Sequence, residues 1–253
     1  MTDRVCTHAG SMVAALLAAT ALSASAYAAE APNISGTYWA VTYNAKIQPV
    51  GGGELPLSDA GKAQLAKNVA GLNDGSLVDN ARKFCVPDGV PRVLATPYPF
   101  EIIQAPPGQV TIIYELNHQI RTVALDKQQQ SDDDLSIFPY YNGHSVGHFD
   151  GDTLVVETAG FKDKMFADGE GTPLSDDLHT VERIRKTSPT ELEDVITIHD
   201  PQNYTRDWQA RFIYTTRNEV RLEDYVCGEP HRDISQIKGI NEARAANARR
   251  TVK

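Results

Sequence analysis

The chain has 253 residues, a formal net charge of −9 and 41% hydrophobic residues. That length suits one substantial core. An acidic chain whose only basic-rich tract is Lys238–Lys253 argues against nucleic-acid and anionic-membrane binding.

The first 28 residues read as a signal peptide. Arg4 and His8 precede an apolar run from Met12 to Leu22, and Ala26-Tyr27-Ala28 supplies the small residues of a cleavage site. The run is too short for a transmembrane helix. Cleavage leaves a mature chain of about 225 residues, expected in the periplasm or secreted, and read as a single domain over 29–253. Cys6 leaves with the leader. Cys85 and Cys227 remain, and in an oxidising compartment a disulfide is the natural expectation, with two buried free thiols as the alternative. The bridge would close a loop of roughly 140 residues, worth about 5 kcal/mol in the chain-entropy model.

Ile34 to Tyr43 is rich in aromatic and β-branched residues and predicts a strand. Gly51-Gly52-Gly53 lacks the Gly-Lys-Ser/Thr ending of a phosphate loop. Ser58 caps a predicted helix with Leu65, Val69 and Leu72 along one side, ended by Asn73-Asp74-Gly75; it is the only helix expected before the tail. From Phe100 onward strands and tight turns dominate: 100–104, 110–115, 120–125, 145–149, 152–158, 178–186, 192–199, 208–215 and 220–227, with 126–134 as a polar loop. About nine closely spaced strands without alternating helices predict an antiparallel β-barrel of lipocalin-like type, with a helical tail from about residue 238. A barrel of about eight strands holds one small ligand in its mouth.

Gly143-His144-Ser145-Val146-Gly147 spells the G-x-S-x-G of a nucleophile elbow. An elbow needs a helix after the serine, and here the chain continues into β-branched residues and Asp150-Gly151, a strong hairpin signal. A two-residue loop at Asp150-Gly151 pairs Phe149 with Asp152, His148 with Thr153 and His144 with Glu157. His144, His148, Thr153 and Glu157 then share a face, and Ser145 points to the other. A His144–Glu157 pair suits acid/base chemistry; a surface ion pair is the plain alternative. Val146 and Val155 suggest that this face looks into the barrel. No metal is assigned, because His144 and His148 are roughly 13 Å apart on a strand; a site would need His179, His118 or an Asp from elsewhere.

A four-residue loop in the hairpin 110–125 pairs Tyr114 with Arg121 on an otherwise apolar face. Arg121 must find a partner there, either an anionic substrate group or a buried Glu. Glu182 shares a face with Leu178, Thr180 and Ile184 and is the expected partner, or else a carboxylate with a raised pKa, while His179 falls on the opposite face. Tyr204 is a rim candidate, for which core packing is the plainer reading. Trp208, Ala210, Phe212 and Tyr214 read as core.

Three blocks stand out together: Tyr98-Pro99-Phe100-Glu101-Ile102-Ile103-Gln104 leading to Tyr114-Glu115; the 143–158 hairpin; and Asp200-Pro201 with Tyr204-Thr205 and Trp208. They resemble an uncharacterised family of exported bacterial proteins over roughly residues 85–227, which implies no activity. Gly36-Thr37-Tyr38-Trp39 resembles the first strand of a lipocalin-type barrel. The expected function is an exported enzyme acting on a small organic molecule as a lyase, isomerase or hydrolase. His144 is its acid/base, Glu157 the orienter, Arg121 the anion clamp and Glu182 a second carboxylate, with His148, His179, Tyr114 and Tyr204 as substrate contacts and no cofactor. The alternative is a non-catalytic periplasmic carrier of an apolar ligand; a structural or partner-binding domain is a third reading.

Overall fold

The structure is a computed structural model that describes residues 31–162 and 165–227. The expected signal peptide and the helical tail lie outside the described residues. Nine strands form a closed barrel in chain order: β1 (Gly36–Ala40), β2 (Phe100–Ile103), β3 (Gln109–Tyr114), β4 (Gln119–Leu125), β5 (His144–Asp150), β6 (Thr153–Ala159), β7 (His179–Ser188), β8 (Glu191–His199) and β9 (Trp208–Thr216). Among the described residues three α-helices accompany them: α1 (Asp59–Asp74), α2 (Asn80–Phe84) and α3 (Asp132–Ile137).

The sequence predicts an antiparallel barrel, and the structure departs from that at one strand pair. An odd number of strands that alternate in direction cannot close, so one neighbouring pair must run parallel. That pair is β4–β5, joined over only three positions, Val123–Ser145, Ala124–Val146 and Leu125–Gly147. A parallel pair needs a long crossover, and residues 126–143 supply it. Part of that segment, expected as loop, is α3, whose Ser131 side chain accepts from the Asp134 amide at 3.3 Å. Every other pair, including the β1–β9 closure, is antiparallel.

Strand alternation places Tyr38, Phe100, Ile112, Val123, Val156, Ile184, Ile196 and Tyr214 in one buried cluster inside the barrel. Helix α1 begins at the expected cap, with the Ser58 hydroxyl accepting from the Gly61 amide at 3.0 Å. Its buried face is Gly61, Asn68 and Gly71, not the Leu65–Val69–Leu72 side. Val69 is exposed, because the helix docks through backbone approach and a hydrogen bond from Asn68 to the Gly171 carbonyl, 2.9 Å. Residues 220–227, expected as a strand, carry no sheet pairing; this segment is a strap held by side chains and by the Cys85–Cys227 disulfide.

Candidate functional site

The central hairpin forms, but its loop is Gly151-Asp152, with Asp150 opposite Thr153. Gly151 takes φ +61°, the left-handed conformation that suits glycine at the first loop position of a two-residue hairpin. The register is therefore two residues from the expected one. His144 faces Ala159, Glu157 faces Val146, and His148 faces Val155. The His144–Glu157 pair does not exist. A shift of two preserves the faces, however, so Ser145 does lie opposite in sense to His144.

The inward face is the serine's. Ser145, Val156 and Thr158 abut Val123, Glu182 and Thr180 of the neighbouring strands, whereas His148 and Glu157 are exposed. His144 points to the outer side, where Nε2 meets the Phe138 carbonyl at 2.9 Å and the ring meets Tyr140 edge-on at 4.7 Å.

Inside the barrel the expected partnership of Arg121 and Glu182 is present. Arg121, opposite Ile112 instead of Tyr114, is 2% exposed and Glu182 0%, so each charge depends on the other. The guanidinium grips both Glu182 oxygens, Nη1 to Oε1 at 2.9 Å and Nη2 to Oε2. Its Nε donates to Ser145 Oγ at 3.0 Å and Nη2 to Thr158 Oγ1 at 2.8 Å. Asp194 on β8 joins this cluster. Burial pushes its carboxyl well above the usual range, and the nearby Glu182 carboxylate adds to the effect. Tyr114, also in the cluster, has its phenol raised mainly by burial. Asp194 Oδ1 is buried with no partner, but the guanidinium already makes four donor contacts, to Glu182, Ser145 and Thr158, so it offers no anion clamp.

The remaining expected residues are dispersed. His179 is exposed on the outside, its ring 6.4 Å from His199. Tyr204 is buried core, packed on Trp208 at 5.4 Å and donating to the Pro173 carbonyl at 3.1 Å; burial raises its phenol.

A pocket of about 540 Å³ opens at the end of the barrel where β1 finishes, β2 begins and β3 turns into β4. Tyr43, Tyr98, Pro97 and Leu116 line it together with Asp88, Arg92, Asn117 and Tyr225. Its floor is ionic. Arg92 binds Asp79 with two contacts, 3.0 and 2.8 Å, and Asp88 through Nε at 2.8 Å. The second Asp88 oxygen accepts from Asn117 at 3.2 Å. Burial raises the Asp88 carboxyl above its ordinary value, an effect the Arg92 charge opposes. Asp168, also lining the pocket, is occupied by the Ile47, Glu170 and Thr172 amides and the Thr172 hydroxyl. The strap forms one wall. The Glu223 amide donates to Glu115 at 2.9 Å, the Tyr225 amide to His118 Nε2 at 2.9 Å, and the Tyr225 ring meets Tyr98 edge-on at 5.4 Å.

Sequence reasoning did not pick Asp88, Arg92 or Tyr98 as site residues. They sit in the irregular stretch between α2 and β2, which has no periodicity to read. The available signals were the Pro87-Asp88-Gly89 turn and the Asp88–Arg92 spacing. No family model matches the chain, and no curated protein matches its sequence. Among the described residues no helix is long and apolar enough to cross a membrane.

Proposed function

We propose that the protein binds a small, flat, largely apolar organic molecule in the barrel-end pocket. The observation that carries this reading is the pocket itself, of a volume usual for small ligands, with tyrosines on its walls and an ion-paired floor. Aromatic walls bury a flat ligand at low conformational cost. The formal charges lining the pocket, Asp88 and Asp168 with Arg82 and Arg92, balance, which favours a neutral ligand. The reading is that of an exported carrier, and the N-terminal leader pattern and the disulfide support export. Its likeness to lipocalins is one of use, a ligand at one end of a barrel; the strand count differs from their eight.

A melting-temperature and NMR titration screen with neutral aromatic molecules tests it. A ligand at about 100 times its Kd should raise the melting point by about 5–10 °C. Tyr98→Ala should weaken that ligand at least tenfold, and equal affinity in the variant would overturn the assignment. A second reading rests on Asp88, a carboxyl with raised pKa inside a pocket, which suits a general acid. Asp88→Asn would then abolish turnover of a bound molecule while leaving its affinity largely intact.

A further inference from the structure

The parallel seam creates a second cavity. Because β4 and β5 pair over three positions only, the first half of β4 has no strand beside it on that side. The crossover folds back there and leaves a groove of about 610 Å³ over Ile120, Thr122 and Ala124. The groove lies at the one place where the alternation of strand direction breaks.

Its chemistry is unlike that of the barrel end. No carboxylate lines it, although the chain carries a net charge of −9. The Arg121 charge beneath it is cancelled by Glu182, which leaves Lys127 as the only other cationic side chain. The rest of the polar lining is mainly amide and hydroxyl, Gln128, Gln130, Asn142 and Tyr140 among it, with the His144 imidazole beside them. Gln128 and Gln130 are exposed, and among the described residues Asn142 Oδ1 is buried with no hydrogen-bond partner. Tyr140 as a whole is 56% exposed. The base under these groups is closely packed. The Tyr140–Gly143 turn closes on its own backbone bond at 3.1 Å. Gly143, at φ +61°, leaves no room for a Cβ, which would come within 2.6 Å of the Thr158 methyl.

We propose that this groove takes a neutral polyhydroxylated ligand, a saccharide unit. An amide offers a donor and an acceptor on one planar group, which matches neighbouring hydroxyls on a sugar ring. The exposed tyrosine face matches the ring's apolar C–H side. A cationic ligand would find no carboxylate, an anionic one only the exposed Lys127, whose pull water weakens, and an apolar one would strand the buried Asn142 oxygen unpaired.

The test is NMR titration of the full chain with neutral tetrasaccharides (cellotetraose, maltotetraose, xylotetraose and chitotetraose) beside a tetragalacturonate. At least one neutral sugar should bind and shift the amides of 127–130 and 140–146. Tyr140→Ala and Asn142→Ala should each weaken it tenfold or more, and Tyr98→Ala, at the barrel end, should leave it unchanged. Gln128→Ala, at an exposed position, gives the same loss in a variant whose melting point does not move. No binding of any neutral sugar at about 10 mM, beyond the weak end of useful affinity, would overturn the proposal. Binding of the galacturonate alone, or loss of sugar binding in Tyr98→Ala, would do the same.

Discussion

The two faces of the β5–β6 hairpin carry similar residue types and do opposite things. Inward, Ser145 and Thr158 are fixed on a guanidinium that is itself fixed on Glu182. Outward, His148 and Glu157 stand in water, and the His144 ring holds the crossover through the Phe138 carbonyl and the edge of Tyr140. Polar groups in the lumen have no water to fall back on, so each contact there is expensive to lose. The same contacts outside compete with solvent and count for little. Polar residues that look like a catalytic cluster in sequence therefore divide into a sealed structural group and a set of surface side chains.

Substitutions should rank by face. Glu182→Leu alone leaves the Arg121 charge buried and unpaired, and urea unfolding should show a loss of about 3–5 kcal/mol. Arg121→Met combined with Glu182→Leu should recover most of it; a double variant as unstable as the single one would break the contrast. Ser145→Ala removes a hydrogen bond to a charged group and should cost about 1.5–3 kcal/mol. His144→Ala on the other face should cost about 1 kcal/mol, the scale of one ordinary hydrogen bond. Glu157→Gln should stay within about 0.5 kcal/mol, and a larger change would show that the outer face is engaged after all.

Asp194 sharpens the same comparison through pH. Its folded-state carboxyl is raised by burial and by Glu182. The folded state therefore binds its proton more tightly than the unfolded chain does. The contribution is complete below the ordinary carboxylate range of about 4 and is lost as pH rises toward the raised folded value. Asp194→Asn keeps the neutral shape and cannot ionise. The difference in urea midpoint between variant and native protein should move in the variant's favour from pH 5 to pH 9. A constant difference would show that Asp194 is not held protonated.

Much of this was readable in the chain. Period-2 alternation put Arg121 and Glu182 on buried faces and Ser145 opposite His144. Both hairpin registers were off by two residues, an even shift that leaves every face intact. The sense of the faces was not readable, because both carry β-branched residues: Val146 and Val155 outside, Val156 and Thr158 inside. The loop was misplaced because Gly151 occupies its first position, not its second. The parallel pairing leaves no local trace, since it answers to the strand count around the whole ring. The barrel-end pocket escaped for a related reason: Asp79, Asp88 and Arg92 meet through irregular backbone.

The closure between β1 and β9 has a kinetic consequence. The Thr37 amide donates to Asn218 at 3.1 Å across a sequence separation of 181 residues. Contacts of such range make folding slow. During synthesis the first strand can find β2 but must wait for the last before its other edge is covered. Until then it is an exposed template for pairing with another chain.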